Sequence, residues 1–322
     1  MSMMCDLIEE RDVIEMLERS VPVPFRMEPD IDSFVGIMKS ICPERFVSKG
    51  ILYHYTKKDV LEKLMADDGD ILCGHYKDMN DDGEWDLGVE HILDYISSFK
   101  LLPEIVESFE NVVEEIHSRN PPCIASFSAH MDKASMWGMY TDRQCGGYAI
   151  GIKRDVLEGL CKRSNQNNKL HEVYFLPCLY LGEDDVDAVI DHVLDNHADE
   201  IEYTARHTPF EVGELLVRKL LVMSYLIKDA SFDYENEWRL ILCPLDSAIQ
   251  EKRTKIVSEG KEREALFSGL FGNGNPIRNS VYQIIVSPQG SASVLRENAV
   301  AFRKRYLLGF DLSLSSSTYN GR

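Results

Sequence analysis

The sequence predicts an α+β fold in which helices pack around one central sheet of mixed or antiparallel strands. Short apolar segments of strand type recur between residues 51 and 288, and two longer stretches have helical periodicity instead. Strands and helices do not alternate strictly, which argues against a doubly wound parallel sheet. We therefore expect a single α+β domain over residues 49–310, with a helical extension at 1–48, a helical insertion at about 183–228 and a polar tail at 311–322.

Two amphipathic helices are expected before the first strand. The second follows Asp32, a residue type that caps helix starts, and its apolar residues recur at helical spacing. These residues are Phe34, Ile37, Met38 and Ile41. Further helices are expected from the acidic loop to about residue 117 and from about 293 to 307. The insertion is also expected to be helical, because its apolar residues lie on one helical face. Residues 162–170 are expected to form a polar loop.

Seven segments have the composition of strands, rich in β-branched and aromatic residues. They are ILYHYT (51–56), DILCG (70–74), CIASFS (123–128), YAIGIK (148–153), EVYFLPCLYL (172–181, interrupted by Pro177), EWRLIL (237–242) and VYQIIVSP (281–288). We expect them to form the central sheet.

The acidic composition limits the partners of this protein. The 322-residue chain has a formal net charge of −19 at pH 7 and a sequence pI of about 4.9. Phosphate backbones and anionic membranes attract positive patches, so neither membrane attachment nor direct nucleic-acid binding is expected. The longest mainly apolar stretch, residues 215–227, contains Arg218 and Lys219 and is too short to cross a bilayer.

The cysteines and the N-terminus indicate a cytoplasmic protein. The eight cysteines are scattered without the CxxC or CxH spacing of zinc sites, which is typical of reduced thiols. The first residues lack the basic start and apolar core of a signal peptide.

Two carboxylates lie one residue apart at the start of an apolar strand, in the segment FDYENEWRLIL (232–242). Residues two apart on a strand point to the same face, so Glu235 and Glu237 would repel each other unless both are solvated or paired. Arg239 would share that face with Glu237. The pair therefore either flanks a strand end or faces a functional site.

The acidic loop DMNDDGEWDLGVE (78–90) resembles a calcium-binding loop only in part. Asp78, Asn80, Asp82 and Gly83 match positions 1, 3, 5 and 6 of an EF-hand. Position 12 is Val89, and Glu90 comes one residue late, which turns its side chain by about 100° on a helix. A solvated turn before the next helix is the simpler interpretation.

Seven short motifs occur in an order that resembles an uncharacterised bacterial family, domain of unknown function 2971. In this sequence they read LYHYT, MNDDGE, SFSAHMDKASMWGMY, GGYAIGI, VYF, YENEWR and IIVSP. The resemblance spans roughly residues 50–310. Members of this family occur near defence and mobile genes, which implies a role in defence against phage.

The motifs also loosely resemble those of the ADP-ribosyltransferases. Those enzymes have Arg or His on the first core strand, an aromatic or Ser-x-Ser motif on the next, and a late Glu that can belong to Glu-x-Glu. Here His54 matches the first element, Ser126 and Ser128 match the second, and Glu235 with Glu237 match the third. Phe127 stands where the family usually has Thr. The resemblance implies an NAD-using enzyme with an ADP-ribosyltransferase-like sheet.

The chemistry of such an enzyme assigns a role to each acid. Cleavage between nicotinamide and ribose passes through an oxocarbenium-like state, which a fixed Glu237 carboxylate would stabilise. Glu235 would orient or deprotonate the acceptor, and His54 would bind the ribose hydroxyls. The expected cofactor-binding residues, which would contact the nicotinamide ring, the ribose or the pyrophosphate, are Ser126, Ser128, Trp137, Tyr140, Arg143, Tyr148 and Arg239.

Three alternatives stay open at the level of sequence. The acids could be a structural pair with Arg239. A metal-dependent hydrolase would instead bring Asp81, Asp82 or Glu84 together with both acids around Mg²⁺ or Mn²⁺. A non-enzymatic sensor or interaction protein would need neither cluster. The transferase is the prediction adopted here, with NAD as substrate, no bound metal and an unknown acceptor.

Overall fold

The predicted strand segments all form strands, and several further elements appear between them. The computed structural model describes residues 31–46, 50–67, 69–76, 83–98, 106–107, 109–114, 122–167, 171–182, 185–198, 201, 213–244, 255–258, 261–265, 275–306 and 308–317. Its strands are β1 (Ile51–Lys57), β2 (Leu72–His75), β3 (Cys123–Ser128), β4 (Gly147–Lys153), β5 (His171–Pro177), β6 (Leu179–Tyr180), β7 (Ile227–Lys228), β8 (Glu237–Pro244), β9 (Lys255–Ser258), β10 (Lys261–Ala265), β11 (Val281–Val286) and β12 (Asp311–Leu314).

Helices fill most of the connections between these strands. They are α1 (Ile31–Ile41), α2 (Pro43–Phe46), α3 (Lys58–Met65), α4 (Glu84–Ser98), α5 (Ala134–Tyr140), α6 (Arg154–Asn167), α7 (Asp185–Asn196), α8 (Gly213–Ser224), α9 (Pro276–Ser280) and α10 (Ala292–Arg305). None of the described helices is both long enough and apolar enough to span a membrane.

Ten of the described strands form one mixed sheet. Its order is β12-β11-β4-β1-β3-β2-β10-β9, and β8 pairs with β3 while β5 pairs with β8. The β11–β12 pair is parallel, and the other pairs of this sheet are antiparallel. The short strands β6 and β7 pair separately. The α+β prediction with a mixed sheet is therefore confirmed.

The sheet forks along one side of β3. Strand β1 pairs with the end of β3, through Tyr53 and Ser128, whereas β2 pairs with its beginning, through Gly74 and Ile124. On the other side, β8 pairs with β3 along its whole length. The gap between β1 and β2, here called the fork, therefore opens beside the middle of β3.

The pairing register divides the sheet into two faces, because directly opposed residues of antiparallel strands share a face. The acid face is defined by Glu237 and includes its partners in register: Ser128, Tyr53, Gly151 and Gln283. The apolar face is defined by Trp238 and includes Phe127, which pairs with it. Alternation along β1 places His54 on the apolar face, together with its partner Ile150.

Several predicted boundaries differ from the structure. Helix α1 begins at Ile31, so Asp32 lies in its first turn, and the predicted apolar residues Phe34, Ile37 and Met38 are buried in the main core. The first predicted helix lies outside the described residues. Helix α4 ends at Ser98, and much of the range from there to 117 is also outside them.

The expected polar loop at 162–170 is wrong over its first part. Helix α6 continues to Asn167 because its buried face, which includes Leu157, Leu160 and Cys161, extends one turn further to the buried Ser164. The predicted insertion contains α7 and α8 but ends in strand β7. Within the predicted polar tail, Asp311–Leu314 forms the edge strand β12.

Candidate functional site

A tight turn places the two acids of the Glu-x-Glu segment. Residues Ala230–Glu235 form a 3-10 helix whose start is capped by the Asp229 side chain, which accepts a hydrogen bond from the backbone N–H of Ser231. Asn236 follows in the left-handed conformation, with φ of 42°, and β8 begins at Glu237. Asparagine tolerates this conformation better than most residues. The sequence suggested that both acids lie on one regular strand. Instead, Glu235 ends the 3-10 helix and Glu237 begins β8.

Both acids converge on one lysine. Lys228 Nζ lies 2.7 Å from Glu235 Oε2 and 2.7 Å from Glu237 Oε2. Arg239 adds a second cation, with Nε and Nη2 each 3.2 Å from a Glu237 oxygen, and its Nη1 donates to the carbonyl of Tyr225. These four residues, here called the charged cluster, contain two positive and two negative charges. That balance lets the cluster be buried.

Burial and charge together fix the ionisation of Glu237. The residue is 4% exposed and Glu235 only 1% exposed. Burial raises the pKa of Glu237, but the neighbouring Arg239 and Lys228 charges outweigh it and lower the pKa to about 2. Glu237 is therefore a carboxylate at neutral pH.

The two predicted serines have different surroundings. Ser126 is half-buried, pairs in register with Arg239, and its side-chain hydrogen bond further lowers the pKa of Glu237. Ser128 is fully buried, donates its hydroxyl to the Glu235 carbonyl at 2.6 Å and accepts from the N–H of His130. Ser126 therefore connects the middle of β3 to the charged cluster, whereas Ser128 locks the turn that carries Glu235.

His54 and Tyr148 lie on the apolar face, away from the acids. The His54 ring is 5.5 Å from that of Phe127, and Nδ1 lies 3.0 Å from the Ser126 carbonyl oxygen. Since a carbonyl only accepts, this Nδ1 carries a proton. Tyr148 is fully buried and donates to the Leu295 carbonyl, and burial raises its pKa to about 12. The structure does not bring these two residues to Glu237.

Helix α5 covers part of the acid face with aromatic residues. Trp137 is buried and packs edge-on against Tyr55 at 4.8 Å, and Tyr140 lies half-buried at the margin of the same cluster. Arg143 is exposed in the turn after α5. The charge of Arg239 is held by Glu237. The structure therefore gathers Glu235, Glu237, Ser126, Ser128 and Arg239 closely, with Trp137 and Tyr140 on the same face.

Lys228, the centre of the cluster, is not among the site residues predicted from the sequence. It follows the apolar run LLVMSYLI (220–227), where an ionised lysine can be buried only if it is paired. Tyr180 was also missed, and its hydroxyl accepts a hydrogen bond from the N–H of Glu237 at 3.0 Å. A lysine ending an apolar run, next to a motif with two acids, is the signal that could have identified the first.

The acidic-loop residues that a metal-dependent hydrolase would use lie mostly outside the described residues. Asp81 and Asp82 are outside them, and Glu84 begins α4. Within the described ranges, no group of three or more His, Cys, Asp or Glu residues is arranged to hold a metal ion. Glu235 and Glu237 are instead held by Lys228 and Arg239.

The charged cluster lies within a segment that matches a known protein family. Residues 136–240 match the model of a protein family of unknown function, DUF2971. The match covers about a third of the chain, from α5 into β8. It confirms the predicted resemblance over these residues. No curated protein and no solved structure matches the chain.

Proposed function

We propose that this chain is an NAD⁺-using enzyme of the ADP-ribosyltransferase type, with its site on the acid face beside the fork. The observation that supports the proposal is the position of Ser126. Its half-buried side chain lies beside the fork on the same face as Glu237, and it helps to lower the pKa of that ionised acid. A ligand bound on the acid face at Ser126 would therefore lie next to both a hydroxyl and the fixed Glu237 carboxylate.

The order of the strands also supports the proposal. The elements that resemble ADP-ribosyltransferase motifs lie on β1, β3 and β8, which are neighbours in the sheet despite their separation in sequence. On the acid face, however, β1 presents Tyr53 instead of His54. We therefore assign the contact with the ribose hydroxyls to Ser126.

In the proposed reaction, the bond between C1′ of the ribose and the nicotinamide nitrogen breaks, and its electron pair leaves with nicotinamide. The ribose acquires oxocarbenium character, which the Glu237 carboxylate stabilises. The acceptor then donates a lone pair to C1′ and releases a proton. Water as the acceptor gives hydrolysis, and a protein, nucleic acid or small molecule gives transfer.

The other members of the charged cluster have supporting roles in this scheme. Lys228 and Arg239 keep Glu237 ionised and fix its orientation. Glu235 is bound to Lys228 and almost fully buried, which favours a role in holding that lysine over contact with an acceptor.

Nicotinamide release tests the proposal directly. The purified chain is incubated with NAD⁺, alone and with bacterial lysate, beside Glu237→Gln and the control Asp233→Asn, which changes an exposed acid in the same turn. We expect release by the wild type and the control, and at least a hundredfold less with Glu237→Gln, as for other charge-stabilising groups.

The absence of release in both conditions, together with no NAD⁺ binding by calorimetry, would reject the proposal. The charged cluster would then be structural, and a sensor or interaction protein would become the leading hypothesis. A cytoplasmic location and a role in defence against phage remain predictions. Plaque counts on cells that express the wild type or Glu237→Gln would test the second.

A further inference from the structure

Asp132 joins two distant parts of the chain on the acid face. One of its oxygens, Oδ1, accepts hydrogen bonds from Trp137 Nε1 at 2.7 Å and from Ser315 Oγ at 2.6 Å. The other, Oδ2, accepts from the backbone N–H and the hydroxyl of Ser316, at 2.6 and 2.8 Å. Burial raises the pKa of Asp132, but the Ser315, Trp137 and Ser316 hydrogen bonds outweigh it and lower the pKa. The carboxylate is thus charged and bound at both oxygens.

The C-terminal segment, residues 311–317, is attached by strand pairing at its start and by the Asp132 hydrogen bonds at its end. Strand β12 pairs with β11 at the edge of the sheet, where Asp311 is exposed and Leu314 is 52% exposed. Of the two leucines of β12, only Leu312 packs against the main core. Backbone pairing continues one step further, from the N–H of Ser315 to the Val286 carbonyl, and Asp132 then binds Ser315 and Ser316.

The same carboxylate also fixes the orientation of Trp137. The indole N–H is bound to Asp132 Oδ1, and the ring packs edge-on against Tyr55, with an interplanar angle of 72°. Neither Ser315 nor Ser316 has a hydrogen bond to Trp137 itself. Asp132 Oδ1, which Ser315 and Trp137 share, therefore connects the C-terminal segment directly to the indole ring, in addition to the pairing of Ser313 with Ile285 of the aromatic cluster.

We propose that Asp132 is a positioning residue that makes the orientation of Trp137 depend on docking of the C-terminal segment. When the segment is bound, Asp132 is held between α5 and β12 and the indole ring is fixed against Tyr55. When the segment leaves, Asp132 loses three of its four hydrogen bonds and the ring is released. The coupling stands on these contacts alone, and its effect on NAD⁺ chemistry rests on the proposed function.

The test compares full-length Ser315→Ala/Ser316→Ala with Ser315→Thr/Ser316→Thr, which retains both hydroxyls, and with the control Ser291→Ala/Ser293→Ala on exposed serines. Hydrogen exchange measures how often the C-terminal segment opens. Acrylamide quenching of tryptophan fluorescence measures how accessible the indole rings are. With the alanines, we expect roughly tenfold faster exchange at 311–317, because two hydrogen bonds to a charged group are lost. We also expect about a twofold increase in quenching, restored by the threonines and absent in a Trp137→Phe background.

Two results would overturn the coupling: unchanged exchange of the segment, or faster exchange with unchanged quenching. Nicotinamide release is measured in the same variants and separates the two proposals. If quenching responds but no variant, including the wild type, releases nicotinamide, the coupling stands and the enzymatic proposal is rejected. If the wild type releases nicotinamide and quenching does not respond, the enzymatic proposal stands and the coupling is rejected.

Discussion

The two faces of the sheet stabilise the same strand by different means. On the acid face, Glu237 and Arg239 of β8 are buried with balancing charges. On the apolar face, Trp238 lies between them in sequence and packs against Phe46 and Phe175, each at a ring distance of 5.3 Å. A shift of one residue in the pairing register of β8 would place each of these side chains on the opposite face of the sheet. The alternation therefore specifies the register of β8 strongly.

The two faces also differ in the groups that they offer for a reaction. The apolar face gains stability from area removed from water and has few groups that could react. The acid face has an ionised acid, a half-buried hydroxyl and an aromatic cluster, and its charges stabilise the fold only while they remain paired. Substitutions on the two faces should therefore differ in their effect on activity as well as on stability.

Truncation on the apolar face should have the largest effect on stability. Trp238→Ala removes a fully buried ring and leaves a cavity, so we expect a loss of about 4 kcal/mol in the free energy of unfolding. Urea denaturation measures the change, with Tyr282→Ala at an exposed ring as the control. A loss below about 1 kcal/mol would contradict the packing described for this face.

Removal of the central lysine should have the next largest effect. Lys228→Met removes one of the two cations of the charged cluster and leaves both carboxylates buried, and we expect a loss of about 3 kcal/mol in the free energy of unfolding. The control is Lys304→Met, at an exposed position on α10. Addition of Glu235→Gln should recover part of the loss, because it restores the balance of one positive and one negative charge in the cluster. Equal losses from Lys228→Met and Lys304→Met would show that the cluster is solvated.

Low pH should reduce the stability that Glu237 contributes on the acid face. The pKa of Glu237 is lowered from 4.5 to about 2 in the fold, so its contribution is fully present above pH 4.5 and is lost as the pH falls towards 2. We expect Glu237→Gln to be less stable than the wild type at pH 7, by on the order of 2 kcal/mol, and the gap to narrow below pH 4.5. A gap that stays constant down to pH 3 would contradict this assignment.

The smallest effect is expected at His54. His54→Ala removes the hydrogen bond to the Ser126 carbonyl and should cost about 1 kcal/mol. His54→Asn places an amide nitrogen near the position of Nδ1 and should recover most of that stability. Because His54 lies on the apolar face, we expect nicotinamide release by His54→Asn to stay within about twofold of the wild type. A loss as large as that of Glu237→Gln would place His54 in the site after all.

Much of the sheet could be predicted from the sequence because its strands are bounded by turn residues and rich in β-branched and aromatic side chains. The charged cluster could not, because Lys228 and Glu237 meet across a turn built from a 3-10 helix and the left-handed Asn236, which periodicity does not predict. Periodicity placed Glu237 and Arg239 on one face correctly. It could not place His54 relative to them, since the register between β1 and β3 depends on a long connection.

The central position of β3 has a consequence for biosynthesis. Ser128 and Glu235, which are hydrogen-bonded in the fold, lie 107 residues apart in the sequence. The side of β3 that β8 covers must therefore wait for a long stretch of further translation, and an uncovered strand edge readily pairs with other chains. We expect this interval to be the one in which the nascent chain is most prone to pair with other chains, and slower elongation to lengthen it.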